Sequence, residues 1–267
     1  MRRASASAKL NLALVVGPKR DDGLHEVVTV LQRIDLADRI AVEEADELRV
    51  AGFEDDTLVR RALATLASET NKHWHVRIDK HIPVAAGLGG GSSDAATALA
   101  LANETLDEPL TREQLHGVAA ELGADVPFFL TSGPQLATGN GRDLEPLSLP
   151  QDYWVVLVLP EEPRKESTAL IYARFDGADG FEARRTQLLS TLEDVRRPAD
   201  LAGLPRNDLV SSQLADQLRA HGAFRADVSG AGPIVFGLFV RERDAGVAAD
   251  AMRNAGRVWV TTPAWYG

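Results

Sequence analysis

The chain contains no cysteine, only two methionines and three tyrosines, and five lysines against 24 arginines in 267 residues. The missing cysteine excludes disulfides and thiolate-held metal sites, and fits a chain kept in the reducing cytoplasm, the expected location. No apolar run approaches the roughly 18 residues that a bilayer-spanning helix needs. The opening MRRASASAKLNLALVVG puts two arginines ahead of an apolar patch, but Lys9 and Asn11 interrupt it. It therefore reads as a first β-strand rather than a signal segment. Basic charge is also short: the net charge is −10, which argues against a nucleic-acid partner, since that would need a basic face. A phosphate ligand is still allowed, because a nest of backbone N–H groups or a bound cation can outweigh the global field. Repeats and low-complexity tracts are absent too.

What is present is an ordinary globular composition, 45% hydrophobic and 25% charged, in a length that suits one large domain or two modest ones. The first 50 residues read as strands: LNLALVVG, a turn GPKRDDG, then VVTVLQRIDL and shorter strand-like pieces. DTLVRRALATLASET carries Leu58, Val59, Ala62, Leu63 and Leu66 at helical spacing. HWHVRIDKHIPV alternates as a strand and ends at Pro83. Thr111 and Gln114 form a capping box for REQLHGVAAEL, with Gly123 expected as its C′ residue. YWVVLVLP restarts the pattern near residue 150 as a buried strand, the expected boundary between domains 1–150 and 151–267. A helix-rich stretch, a glycine turn in DVSGAGPIVFGLFV, a helix in the 240s and the strand GRVWVTTP complete the chain.

The segment PVAAGLGGGSSDAATALALAN places Gly87, Gly89, Gly90 and Gly91 before a helix expected from about Ser93 to Asn103. A Walker loop would end in GK[ST], and this loop has no lysine. A dinucleotide fingerprint would need a third glycine where Ser92 stands, and an acidic residue after the next strand. The remaining option is a loop whose N–H groups, with the hydroxyls of Ser92 and Ser93, wrap an anion at a helix N-terminus. A glycine-serine linker is the bland alternative, but a linker is not usually followed at once by so apolar a helix.

That glycine segment resembles the ATP-binding signature of the kinases named for galactokinase, homoserine kinase, mevalonate kinase and phosphomevalonate kinase (GHMP kinases). Within them the chain looks most like the 4-diphosphocytidyl-2-C-methyl-D-erythritol kinase family, through AKLNLAL, DGLHEVVTVLQ, GADVPFFL, NDL at 207–209 and SGAGPIVFGLF at 229–239. The resemblance implies an α+β fold of two domains, the first like ribosomal protein S5 domain 2 and the second ferredoxin-like. It also implies ATP contacts from Thr57, Pro83, Gly87, Leu88, Gly89, Gly90, Gly91, Ser92 and Ser93, with Mg2+ accompanying the nucleotide. Asp125 is implied as catalytic base and Lys9 as the stabiliser of developing negative charge, able to hold Asp125 ionised. Substrate contacts are implied from Asn11, Leu24, His25, Thr168 and Tyr172, with a cytidine diphosphate-linked methylerythritol as the small-molecule partner. No membrane partner is expected, and a monomer or weak homodimer is.

Two positions depart from the family pattern. Leu24 stands where the family has a tyrosine that stacks on cytosine, which forfeits about 1 to 3 kcal/mol by analogy with base–aromatic stacking. Thr57 stands where the family has an asparagine near adenine, and its hydroxyl can still hydrogen-bond. Three readings follow: the cytidyl-methylerythritol kinase, a sister kinase for another small alcohol such as mevalonate or homoserine, and a nucleotide-binding regulator without catalysis. KESTALIYARF, which carries Thr168 and Tyr172, also reads as an ordinary amphipathic helix.

Overall fold

The computed structural model describes residues 1–53, 57–161, 168–175 and 179–264. Asp55 and Asp56, and Lys165 to Ser167 of the aligned substrate segment, lie outside the described residues. In chain order the elements are β1 (Arg2–Lys19), β2 (His25–Ala45), β3 (Arg49–Ala51), α1 (Thr57–Thr70), β4 (His73–Asp79), α2 (Gly90–Asn103) and α3 (Arg112–Leu122). A 3-10 turn (Pro127–Leu130), β5 (Gln135–Thr138), β6 (Asp143–Pro146), β7 (Trp154–Pro160), α4 (Thr168–Arg174) and α5 (Phe181–Asp194) follow. A second 3-10 turn (Pro198–Gly203), α6 (Gln213–Ala220), β8 (Arg225–Val228), β9 (Val235–Phe239), α7 (Glu242–Met252) and β10 (Gly256–Thr261) close the series.

Two compact units share the chain: Met1–Ala8, Leu36–Val84 and Gly89–Ser132 in one, Lys9–Asp35, Ala85–Leu88 and Gly133–Gly267 in the other. Both β1 and β2 contribute residues to each. In the first unit the far half of β2 pairs antiparallel with β4, from Arg39 opposite Asp79 to Ala45 opposite His73, and β3 adds parallel to β4. Helix α1 buries Val59, Ala62, Leu63 and Leu66, the stripe that the 3.6-residue period predicts. Burying each Leu or Val fully contributes about 1.5–3 kcal/mol. Helix α2 is buried on nearly every side, through Ala95, Ala96, Ala98, Leu99, Leu101 and Ala102. Its run of alanines lets neighbouring elements approach closely.

In the second unit the near half of β2 pairs with β5, Thr29 opposite Ala137, and β5 forms a hairpin with β6. Strands β7 to β10 form an antiparallel sheet in the order β10-β7-β9-β8. Helices lie in the chain between β7 and β8 and between β9 and β10, so the connectivity is the βαββαβ of the ferredoxin-like fold. Val156, Val158, Leu218, Val235, Phe239, Ala245, Ala248 and Met252 form its core.

Three local expectations shift. Helix α2 starts at Gly90 rather than near Ser93, so Gly90 and Gly91 belong to its first turn. Gly123 ends α3 in an extended conformation, φ 171°, instead of the left-handed C′ geometry. The strand pieces after residue 25 fuse into the single long β2. The capping box is as read: the Thr111 hydroxyl accepts from Gln114 N, and Gln114 Oε1 accepts from Thr111 N.

Candidate active site

Lys9 and Asn11 stand two apart on β1, so their side chains leave the same face of the strand. Lys9 Nζ donates to Asn11 Oδ1 at 2.7 Å, and Asn11 Nδ2 donates to Thr29 Oγ1 at 2.9 Å. Thr29 in turn donates to the Ala13 carbonyl at 2.7 Å. All three side chains are buried, and a buried polar chain of this kind holds its members in one geometry. Two glycine turns close around it. Asn11 N donates to Ser229 Oγ at 3.1 Å, and Lys9 N donates to the Leu88 carbonyl at 2.9 Å. A Cβ on Gly230 would lie 3.1 Å from Asn11 Oδ1. Gly87, at φ +84°, leaves so little room that a Cβ would sit 2.8 Å from the carbonyl oxygens of both Ser229 and Gly232. Gly87→Ala is therefore expected to lose about 1–2 kcal/mol to its left-handed backbone alone, with more from displacing the 229–232 turn. A denaturant midpoint equal to the parent's would show that the turn yields without cost.

From Gly89 onward the loop belongs to the first unit. Gly89 caps α2 in the left-handed region, φ 70°, and the Ser93 N–H bond to the Gly89 carbonyl opens the helical ladder. The N–H groups of Gly90, Gly91 and Ser92 precede that first intrahelical donor and point out of the helix start. A Cβ on Gly91 would meet only Leu58, at 3.7 Å, so the backbone is uncovered there. Ser93 is buried and Ser92 half-buried.

Beneath this turn lies a buried ion cluster. Lys80 Nζ donates to Asp38 Oδ2 at 2.6 Å and to Asp94 Oδ2 at 2.7 Å. Both aspartate side chains have no solvent exposure. Asp38 Oδ1 also accepts the N–H groups of His81 and Ile82. Burial opposes the charge on Lys80, but the Asp94 and Asp38 carboxylates outweigh it and raise its pKa. Pro83, half-buried, follows this segment, and Thr57 is exposed at the start of α1. Asp125 is half-buried in the tight turn between α3 and the Pro127–Leu130 turn, which Val126 N closes onto the Gly123 carbonyl at 3.2 Å.

In the second unit His25 Nδ1 lies 2.9 Å from the Gly17 carbonyl. A carbonyl only accepts, so Nδ1 carries a proton, and in that tautomer Nε2 is the acceptor. The Tyr172 ring is centred 5.8 Å from His25 and the Phe175 ring 6.0 Å from it. Leu24 is 47% exposed on the β1–β2 turn, and Thr168 is exposed at the start of α4. The structure thus gathers His25 and Tyr172, and separately Lys9, Asn11, Gly87 and Leu88.

Two family models match the chain: GHMP kinases N terminal domain over residues 57–133 and GHMP kinases C terminal over residues 199–258. A curated 4-diphosphocytidyl-2-C-methyl-D-erythritol kinase from Desulfitobacterium hafniense is 37% identical, over 96% of this chain and 93% of its own length. The kinase of that name from Geobacter metallireducens is 39% identical, over 94% of this chain and 93% of its own. The chain belongs to the 4-diphosphocytidyl-2-C-methyl-D-erythritol kinase family of GHMP kinases. A crystal structure of 4-(cytidine 5'-diphospho)-2C-methyl-D-erythritol kinase superposes with a TM-score of 0.81 at 30% identity, covering 99% of this chain and 100% of the other.

Membership in a family of GHMP kinases makes ATP the phosphate donor, and the start of α2 fits a polyphosphate: outward N–H groups, open space beside Gly91, and the positive end of a helix. Sequence reasoning did not single out several residues that brace these clusters within the two units. Asp38 was legible in principle, because it stands on the inward face of β2 in register with Ile40 and Val42, where an aspartate needs a partner. Ser229, Thr29 and Phe175 lie inside the quoted segments SGAGPIVFGLF, DGLHEVVTVLQ and KESTALIYARF, but which residue of each segment matters is set by partners far away in the chain.

Proposed function

We propose that the chain transfers the γ-phosphate of ATP to the 2-hydroxyl of 4-diphosphocytidyl-2-C-methyl-D-erythritol. The observation that carries this reading is Lys9, a buried lysine on β1 held by Asn11 and enclosed by the Gly87 and Ser229–Pro233 turns. A cation so fixed is suited to the charge that spreads over a transferring phosphoryl group. Asp125 takes the hydroxyl proton as general base. Gly87, Leu88, Gly89, Gly90, Gly91, Ser92 and Ser93 hold the phosphates, and Thr57 and Pro83 lie toward the nucleoside. Mg2+ supplies further charge neutralisation when bound with the nucleotide, and Ser92, Ser93 and water are the groups that would complete its shell.

His25 reads the cytosine edge, with Nε2 accepting from the exocyclic amine while Tyr172 covers the ring. Asn11 and Thr168 contribute polar contacts to the substrate. Residues 1–150 form the ATP-binding side and 151–267 the substrate side of a cytoplasmic monomer or weak homodimer. Among the described residues no helix is long and apolar enough to cross a membrane.

One observation keeps a second reading in play. Leu24 offers an exposed aliphatic side chain where the family has an aromatic ring, which weakens the cytosine contact and favours a GHMP kinase for another small alcohol. ADP release separates the readings, with cytidyl-methylerythritol, mevalonate and homoserine offered in turn. Turnover on the cytidyl substrate alone is expected. Turnover on mevalonate or homoserine alone would sink the proposal, and nucleotide binding without turnover on any of the three would mark a non-catalytic regulator.

A further inference from the structure

Asn207, Asp208 and Leu209 stand out in the sequence yet take no part in the chemistry above. Their contacts divide between two places. Asn207 Nδ2 donates to the carbonyls of Val228 and Gly230, at 2.9 and 2.6 Å, and so braces the glycine turn beside Asn11. Asp208 faces β1 instead. Its backbone N–H donates to the Leu14 carbonyl at 3.0 Å, and its Oδ2 accepts the Val16 N–H at 2.8 Å. Arg184 on α5 completes the clamp: Nε donates to the same Oδ2 at 3.0 Å, and a terminal nitrogen reaches the Val16 carbonyl at 3.3 Å.

Val16 is therefore gripped through both its N–H and its carbonyl, by two residues that are themselves paired. The next residue is Gly17, whose carbonyl receives the His25 Nδ1 proton. Gly17 has no freedom on its other side, because a Cβ there would lie 2.9 Å from the Phe181 ring. Leu209 packs with Leu14, Val16 and Val27, the cluster that also seats Tyr172 and Phe175. One short segment thus sets the direction of the Gly17 carbonyl and supports the rings beside His25.

We propose that Asp208, clamped by Arg184, is a specificity-positioning residue that fixes the Gly17 carbonyl and thereby the Nδ1–H tautomer of His25. This rests on His25 being the reader of the base. An Nε2 lone pair accepts from the 4-amino group of cytosine but meets the 4-carbonyl of uracil acceptor to acceptor. The tautomer therefore carries discrimination between the two bases, and a histidine released from Gly17 would present a donor to uracil as readily as an acceptor to cytosine.

Two readouts test this on the full chain. The first is side-chain nitrogen-15 NMR of the ligand-free protein, with the His25 signals assigned by their loss in His25→Gln. The parent is expected to show His25 protonated at Nδ1, and Asp208→Ala to show a mixture. The second is the ratio of kcat/KM for the cytidyl substrate to that for its uridyl analogue. Asp208→Ala is expected to lower that ratio about tenfold, the worth of one well-made hydrogen bond, with KM for ATP unchanged within about twofold. Asp208→Asn, which keeps an oxygen for the Val16 N–H, should restore most of the discrimination. If Asp208→Ala fails to fold, Arg184→Gln gives the same reading through loss of the clamp, at smaller amplitude. An unchanged tautomer and an unchanged base ratio, or equal losses on both substrates with the tautomer intact, would overturn the assignment. A parent chain without turnover on the cytidyl substrate would instead sink the proposed function, while the tautomer measurement still judges the clamp.

Discussion

Replacing Asp125 by asparagine is expected to lower kcat by about 10²- to 10⁴-fold, the usual worth of a positioned general base. ATP affinity should change by no more than a few-fold. The change keeps the size and shape of the side chain. The turn that carries Asp125 is closed by backbone, through Val126 N on the Gly123 carbonyl. It is anchored from below by Phe128 and Phe129, both buried and in edge contact at 5.1 Å. An amide at position 125 cannot accept the hydroxyl proton, so the deficit should appear in kcat and not in nucleotide binding. ADP release and calorimetric titration with a non-hydrolysable nucleotide separate the two quantities. Full activity in the variant would remove Asp125 from the mechanism.

How much of this was legible in the sequence depended on how local the cause was. The Thr111–Gln114 capping box spans one helical turn, so its residues announce it, and the structure contains both of its hydrogen bonds. The α1 stripe and the buried strand β7 are likewise properties of short windows. Gly123 misled because a glycine after a helix is only permitted the left-handed region, and here the chain turns directly toward Pro127 in extended form. The start of α2 was placed too late because glycine has low helix propensity. Packing overrides it: a Cβ on Gly90 would approach Ile82 at 3.1 Å and Lys80 Nζ at 3.3 Å, so closeness to the ion cluster dictates the residue. The glycine loop and the AKLN, DGLHE and GADVPFF segments identified the family. The Asp208 clamp did not show, since it links residues 192 and 24 positions apart. Pairings at that separation become visible only once the strands and helices are in place.

The same reasoning gives the largest expected loss of stability, at Lys80. Lys80→Met keeps the length and apolar stem of the side chain but leaves two fully buried carboxylates without their shared ammonium. Removing one partner from such a buried set costs about 3–5 kcal/mol. The pH dependence follows from the charges. In the parent, Lys80 has a raised pKa in the folded state. Its contribution is in place below the ordinary lysine pKa and is lost only as pH rises through the folded value. In the variant, Asp38 retains the His81 and Ile82 N–H groups, whereas Asp94 loses a cation 2.7 Å away. Burial then pushes the Asp94 carboxyl upward, so the folded chain binds more protons than the unfolded one, and stability falls as pH rises. Denaturant melts at pH 5 and pH 8 should therefore show a gap between parent and variant that is wider at pH 8. Because Asp94 sits in the opening turns of α2, KM for ATP should rise with the same substitution. A variant as stable as the parent at pH 8 would mean that the cluster's desolvation cost cancels its attraction, and that the start of α2 is held by its apolar packing alone.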